Sequence, residues 1–199
     1  MVDFDDGAFG IRQVRMQPAN LNQLRTQGLD VEVAYRIPLE RLGLPGRLDL
    51  RAFTTRVWEL RTIDAVSRID RAGAGTGVPA WVSNLTLSYQ LGPVTSALQF
   101  RHNSRFKGDA SLIGPDEAGY SPTLSNSTNK NSYPSMVYVN WTGQVELLQS
   151  DARRLQLYAV ANNLMDRDPP ATAIIGLING GNPYDLVGRS FKVGLRFKY

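Results

Sequence analysis

The stretch Ser190-Phe191-Lys192-Val193-Gly194-Leu195-Arg196-Phe197-Lys198-Tyr199 ends the chain, and its period decides the fold class. Phe191, Val193, Leu195, Phe197 and Tyr199 fall on one side; Ser190, Lys192, Gly194, Arg196 and Lys198 fall on the other. A period of two is the signature of a β-strand, whose successive side chains point to opposite faces of the sheet. In water a terminal strand this apolar would invite edge-to-edge aggregation. Against lipid the same pattern satisfies both environments, with apolar residues outward, polar residues inward and barrel closure removing the edge.

Working upstream, the same alternation returns. Leu29, Val31, Val33, Tyr35 and Ile37 share a face opposite Asp30, Glu32, Ala34 and Arg36, and Pro38 ends that strand. Pro79–Leu91 places Trp81, Leu85, Leu87, Tyr89 and Leu91 together, with the two amphipathic rings near opposite ends. Val94–His102 returns after the Gly92-Pro93 turn. Met136–Leu147 carries Val137, Val139, Trp141, Val145 and Leu147 on one side, and Arg154–Leu164 follows after Gln149–Arg153. The Gly46–Thr62 strand breaks its own phase, since Phe53 and Val57 are out of step with Leu48, Leu50 and Ala52. Either a bulge resets its register or its upper half stands clear of an apolar layer. Ile11–Pro18 alternates weakly and fits a short strand or a loop edge.

The connections sort by length. Pro38–Pro45, Gly92-Pro93 and Gln149–Arg153 are short; Ile63–Val78, Asn103–Ser132 and Met165–Pro183 are long and polar. Strict alternation of tight turns and long loops is what an up-and-down transmembrane barrel shows. The expectation is an all-β, seven-stranded antiparallel meander in sequence order, open because seven strands are too few to close such a barrel.

The terminal pattern Lys192-x-Gly194-x-x-Phe197-x-Tyr199 resembles the C-terminal signal by which outer-membrane β-barrels are recognised for insertion. Asn163-Leu164-Met165-Asp166-Arg167-Asp168-Pro169-Pro170, followed by Tyr184-Asp185-x-x-Gly188-Arg189-x-Phe191, resembles the closing motif of TonB-dependent receptors. Met165 stands where that family most often has Phe, and Tyr199 where Phe or Trp is usual. The resemblance is specific over Leu155–Tyr199 and diffuse upstream, where Asn20–Glu32 resembles a recurrent strand of the family. It implies residues 1–199 are the C-terminal segment of a large barrel of about 22 strands in the outer membrane of a Gram-negative bacterium. It further implies energy-dependent uptake of a scarce ligand such as an iron chelate, a cobalamin or an oligosaccharide. The implied partners are outer-membrane lipid, the barrel assembly machinery, and the TonB complex through an N-terminal part outside this chain.

Composition bounds the alternatives. The 199 residues include no cysteine, so no disulfide framework or thiol chemistry is available. No apolar run approaches the roughly 18 residues of a spanning helix, and a mean hydropathy of −0.25 suits alternating strands. The net charge of +4 is spread along the chain without a basic, aromatic-interleaved patch, which argues against nucleic acid. The N-terminus has neither a basic nor an apolar signal region, so a segment lacking signal peptide and plug domain is expected.

Candidate sites follow. Arg105, Lys107, Tyr120, Tyr133 and Tyr184 lie in or beside the long loops and are the candidates for ligand contact. Lys192, Gly194, Phe197 and Tyr199 are the assembly-signal candidates. Asp3, Asp5 and Asp6 ahead of Gly7 have oxygen ligands for calcium but read better as a solvated loop. Gly73, Gly75 and Gly77 lack the Lys-Ser/Thr of a phosphate cradle and read as a flexible loop. The stretch 103–132 has a composition that cannot bury a core of its own. His102 and Ser104 raise an outer-membrane hydrolase, although no third group is evident to orient the base. Asp166 and Asp168, in a Pro-flanked loop, read as loop polarity. No catalytic residue, cofactor or metal is expected. A soluble β-sandwich binding module is the remaining rival.

Overall fold

The structure of the protein, a computed structural model, describes residues 2–4, 11–14, 22–65, 67–76, 78–150, 153–170 and 184–199. In chain order the strands are β1 (Val2–Phe4), β2 (Ile11–Val14), β3 (Gln23–Pro38), β4 (Arg47–Ile63), β5 (Arg68–Asp70) and β6 (Trp81–Leu91). They continue with β7 (Val94–Asn103), β8 (Phe106–Lys107), β9 (Ser132–Tyr133), β10 (Met136–Gln149), β11 (Arg154–Asn162) and β12 (Ser190–Lys198). Asp5, Asp6 and Gly7 of the calcium candidate lie outside the described residues, as does most of the last long loop.

The protein is all-β, built on one large antiparallel sheet of order β12-β11-β10-β7-β6-β4-β3. Every neighbour in that path is the next long strand in the sequence, so the expected meander is present. The sheet has an eighth member the sequence did not suggest: β5 pairs with the upper end of β4, Arg61 opposite Asp70. Two small hairpins, β1-β2 and β8-β9, lie outside it. Among the described residues β3 and β12 are the two ends of the path.

Because the strands are antiparallel, the short connections gather at one end of the sheet and the long ones at the other. At the short end, Leu39–Leu42 forms a single 3-10 turn capped by Gly43 in the left-handed region at φ 73°. Gly92 takes φ 54° in the two-residue turn between β6 and β7.

The register makes the two faces explicit, since paired residues share a side. Phe191 pairs with Ala161, Val193 with Ala159, Leu195 with Leu157 and Phe197 with Leu155. The row continues through Trp141, Leu98 and Leu87 to Leu50 and Tyr35. This face is therefore mainly apolar, interrupted by Thr54, Arg56, Ser83, Ser96 and His102, and among the described residues no second layer covers it. Phe191 is 70% exposed, Val193 72% and Leu195 65%. The other face is a lattice of cross-strand polar pairs. Arg36 donates to Asp49 at 2.7 Å, Thr55 to Asp30 at 2.6 Å, Asn140 to Gln99 at 3.0 Å and Gln156 to Glu146 at 2.6 Å. Exposed ion pairs such as Arg51–Glu32 contribute little each, at most about 1 kcal/mol, so this face is organised by pairing more than held by it.

The phase break in β4 has two parts: Phe53 stands on the polar face, opposite Glu32 and Asn84, and further along the strand a bulge falls at Trp58. Gly28 faces Val57 while Gln27 faces Glu59, leaving Trp58 unmatched. A Cβ on Gly28 would stand 2.7 Å from the Arg56 carbonyl oxygen, so this crossing requires glycine. Beyond the bulge the apolar row is replaced by Arg25, Gln27, Glu59 and Arg61, with Arg61 bonded to Glu59 at 2.8 Å. A second bulge in β10 leaves Leu147 as the extra residue. Leu148, not Leu147, then stands opposite Leu155.

Candidate functional site

The long-loop end holds the only buried hydrophobic cluster found among the described residues: Phe106, Tyr133, Met136, Tyr138 and Tyr184. Its members come from β8, β9, β10 and the segment before β12, so one small core joins two long connections. Phe106 stacks on Tyr133 with ring centres 5.2 Å apart and packs against Tyr184 at 5.4 Å. The Tyr184 hydroxyl donates to the Pro134 carbonyl at 2.8 Å, and the Asp185 amide donates to the Tyr138 hydroxyl oxygen at 3.1 Å. Burial pushes the Tyr184 phenol up to about 12, the phenolate being the form an apolar site disfavours.

The 103–132 stretch supplies one member of this core, Phe106; the flanking strands and the last connection supply the rest. Its polar residues are instead used to fold the loop on itself. Asn131 is buried, its side-chain oxygen accepting the Asp109 amide at 2.9 Å and its NH2 donating to the Asp109 and Leu112 carbonyls. The glycine-bearing loop is likewise organised where a flexible segment was expected. Lys107 donates its amide to the Gly73 carbonyl at 2.8 Å and accepts the Gly75 amide at 2.6 Å. Gly73 adopts φ 74°, which a side chain would strain.

Between these two loops lies a cleft of about 380 Å3, lined in part by Arg105, Phe106, Lys107, Asp116, Glu117 and Asn131. The volume falls within the roughly 300–1,000 Å3 of small-molecule sites. Lys107 forms a 2.7 Å ion pair with Glu117, whose other carboxylate oxygen accepts the Gly114 amide at 2.7 Å. The Lys107 ammonium, then the Gly114 amide, hold the Glu117 carboxyl below its ordinary range. Arg105 and Asp116 stand exposed on the rim, without an ion-pair partner among the described residues. The cleft can therefore present a fixed, neutralised pair at its wall and two unengaged charges of opposite sign at its mouth.

The sequence candidates divide accordingly. Arg105 and Lys107 meet at the cleft. Tyr120 is bonded within its loop, donating to Asn129 at 2.7 Å. Tyr133 and Tyr184 are buried, 0% and 5% exposed, and in this conformation serve the loop core. His102 belongs to the apolar face, edge-on to Trp81 with ring centres 5.5 Å apart. The Ser104 hydroxyl accepts the Trp81 amide at 3.1 Å. Among the described residues no hydrogen bond joins His102 to Ser104, and no carboxylate orients the imidazole. Asp166 is committed to Arg189 at 2.9 Å, and Asp168 is exposed. Those two partners, Asp166 and Arg189, come from the two halves of the closing motif, so one ion pair ties the entry and exit of the last loop.

Asn163 opens that motif and is fully buried in the left-handed region at φ 47°. Its amide donates to the Asn140 side chain at 2.9 Å, and its own side chain both donates to and accepts from the Arg167 backbone. Asn131 and Asn140 were not legible as structural residues, because a polar side chain in a polar stretch carries no periodic signal. Among the terminal-signal candidates, Phe197 lies on the uncovered apolar face and Tyr199 is 93% exposed, their rings 6.0 Å apart. Lys192 and Gly194 lie on the polar face. No group of three or more metal-ligating side chains occurs among the described residues.

In comparison with known proteins, no family model, no curated protein and no solved structure matches this chain.

Proposed function

We propose that this chain is the C-terminal part of the barrel of a TonB-dependent outer-membrane receptor, forming wall and outer loops for energy-dependent ligand uptake. The observation that carries the reading is the two-faced sheet. An apolar row runs across all seven long strands with nothing described over it, opposite a face of paired charges and amides. In water such a surface is an aggregation liability; in hydrocarbon it is the face a barrel needs. The dimensions agree, since β6 has 11 residues and a tilted strand crosses hydrocarbon in about 9–11. Polar residues beyond the Trp58 bulge end the apolar band where an outer interface would lie. The cleft beside Arg105 and Lys107 is then on the outer side, where a scarce iron chelate, cobalamin or oligosaccharide would first be met. The plug and the segment that engages the TonB complex belong to the part of the receptor outside this chain.

The decisive experiment reads the apolar face directly. Of the three tryptophans, Trp81 and Trp141 lie on that face, and Trp58→Phe removes the bulge indole. In vesicles containing brominated lipid the remaining emission is expected to be quenched, and the protein to leave membranes only with detergent. Unquenched emission from a buffer-soluble protein would overturn the membrane reading. If quenching holds, uptake that persists after the proton-motive force is collapsed would exclude the TonB-dependent mechanism and leave a passive pore.

A further inference from the structure

The alternation that makes β12 a strand leaves its register underdetermined. Slipping β12 by one residue against β11 would turn every apolar side chain to the polar face, so that error is excluded by patterning. Slipping by two residues is different. Leu157, now opposite Leu195, would face Val193 or Phe197, and the apolar row would survive intact. On the polar face the same slip has a clear consequence. Tyr158 pairs with Gly194, and its ring lies across that glycine. A Cβ built on Gly194 would stand 2.5 Å from the phenol oxygen and 2.6 Å from Cζ, both far inside contact distance. The neighbours on that face are Lys192 and Arg196, whose cationic groups sit over the same ring at 5.8 and 5.6 Å from its centre. Arg196 is also held by Gln156, donating to its side-chain oxygen at 3.1 Å. A two-residue slip in either direction would put Lys192 or Arg196 itself opposite Tyr158, where Gly194 now seats the ring, and would end the flanking of the ring by both cations at once.

We propose that Tyr158 and Gly194 form a register key for the terminal strand, with Lys192 and Arg196 as its flanks. Gly194 is glycine because it is the seat of a ring on the preceding strand. Tyr158 is a positioning residue that selects, among the even registers, the one in which Phe197 meets Leu155. The key goes beyond the receptor reading, because it depends only on the β11–β12 pairing. If the receptor reading also holds, it adds that the terminal signal is presented in one register only once β11 is in place.

The absence of cysteine from the chain makes register measurable by disulfide formation. Directly paired antiparallel residues have Cα atoms about 4.5–5.5 Å apart, within disulfide reach, whereas diagonal partners are at about 7–8 Å. Leu157→Cys combined with Leu195→Cys reports the native register from the apolar face, away from the key. Leu157→Cys with Val193→Cys, or with Phe197→Cys, reports the two slips. With Tyr158 present, the native pair is expected to cross-link and the slipped pairs to stay at background. In Tyr158→Ala, the slipped products are expected to rise severalfold at the expense of the native one. Gly194→Ala is expected to do the same while Tyr158 is present, and to add nothing in the Tyr158→Ala background, the non-additivity of one shared contact. Slipped products that stay at background in both single variants would overturn the key, as would a native pair that fails to cross-link at all. Should Gly194→Ala lower outer-membrane levels equally with and without Tyr158, while register is unchanged, Gly194 would be a recognition residue and the key would be refuted. That result would leave the receptor reading standing.

Discussion

Truncating Tyr184 is expected to loosen the long-loop end of the molecule while leaving the sheet intact. The ring is 5% exposed, packs on Phe106 at 5.4 Å and donates its hydroxyl to the Pro134 carbonyl at 2.8 Å. Replacing a buried aromatic by alanine costs about 3–5 kcal/mol through lost burial and the cavity left behind. Tyr184→Phe keeps the ring and removes one hydrogen bond, which costs about 1–2 kcal/mol including the orphaned carbonyl. Since about 1.4 kcal/mol is a factor of ten in an equilibrium, opening of this layer should become on the order of 10²–10³-fold more frequent in Tyr184→Ala. In Tyr184→Phe the change should stay near tenfold. Native-state hydrogen exchange reads this at the Lys107 and Gly108 amides, bonded to the Gly73 and Asn131 carbonyls, against amides of β6 as an internal reference. Equal effects of the two substitutions would refute the packing argument, and so would acceleration of β6 to the same degree as the loops. Alkali supplies a second handle on the same group. The folded phenol, raised to about 12, favours its neutral form. Its stabilisation is therefore complete below the unfolded value near 10 and is lost as pH rises through the folded one.

Other perturbations separate the elements. Leu195→Arg puts a charge on the apolar face and, under the proposed function, should cost about 2–4 kcal/mol at the mid-membrane; outer-membrane yield falls, whereas yield equal to wild type would speak against lipid contact. The folded carboxyl of Glu117 is depressed by Lys107, so its contribution is present above the ordinary carboxylate value and lost as pH falls through the folded one. Protection of the Gly114 amide, measured against its intrinsic exchange rate, should fall in acid, and Glu117→Gln should remove that dependence; a pH profile of protection unchanged in the variant would contradict it. Asn163→Ala removes the side-chain bonds to the Arg167 backbone at a left-handed position, and should destabilise the β11 exit by about 1–3 kcal/mol. Denaturation or exchange confined to residues 162–168 would report it. Arg105→Ala leaves the described packing untouched and, under the proposed function, should weaken ligand uptake without lowering protein level.

The terminal alternation from Phe191 to Tyr199, repeated from Leu29 to Ile37 and from Trp81 to Leu91, was enough to place those strands and the side each of their residues takes. That information is local, because a strand's period of two reports its own two environments whatever the neighbour is. The sorting of short and long connections was legible for the same reason, since glycine and proline mark turns by their own backbone limits. What the tertiary structure alone decided is everything that depends on which segments meet. Phe53 and Val57 were out of step in the sequence, but only the pairing of β4 with its neighbours showed Phe53 to face the polar side and Trp58 to be the bulged residue. Tyr133 and Tyr184 read as exposed loop rings, yet two distant connections close on them around Tyr138. The glycine loop is held by Lys107, which lies in a different loop and carries no mark of that in its own neighbourhood. Gly194 read as part of a terminal signal; that it seats Tyr158 follows from a pairing across 36 residues, where steric fit and not periodicity distinguishes one even register from the next.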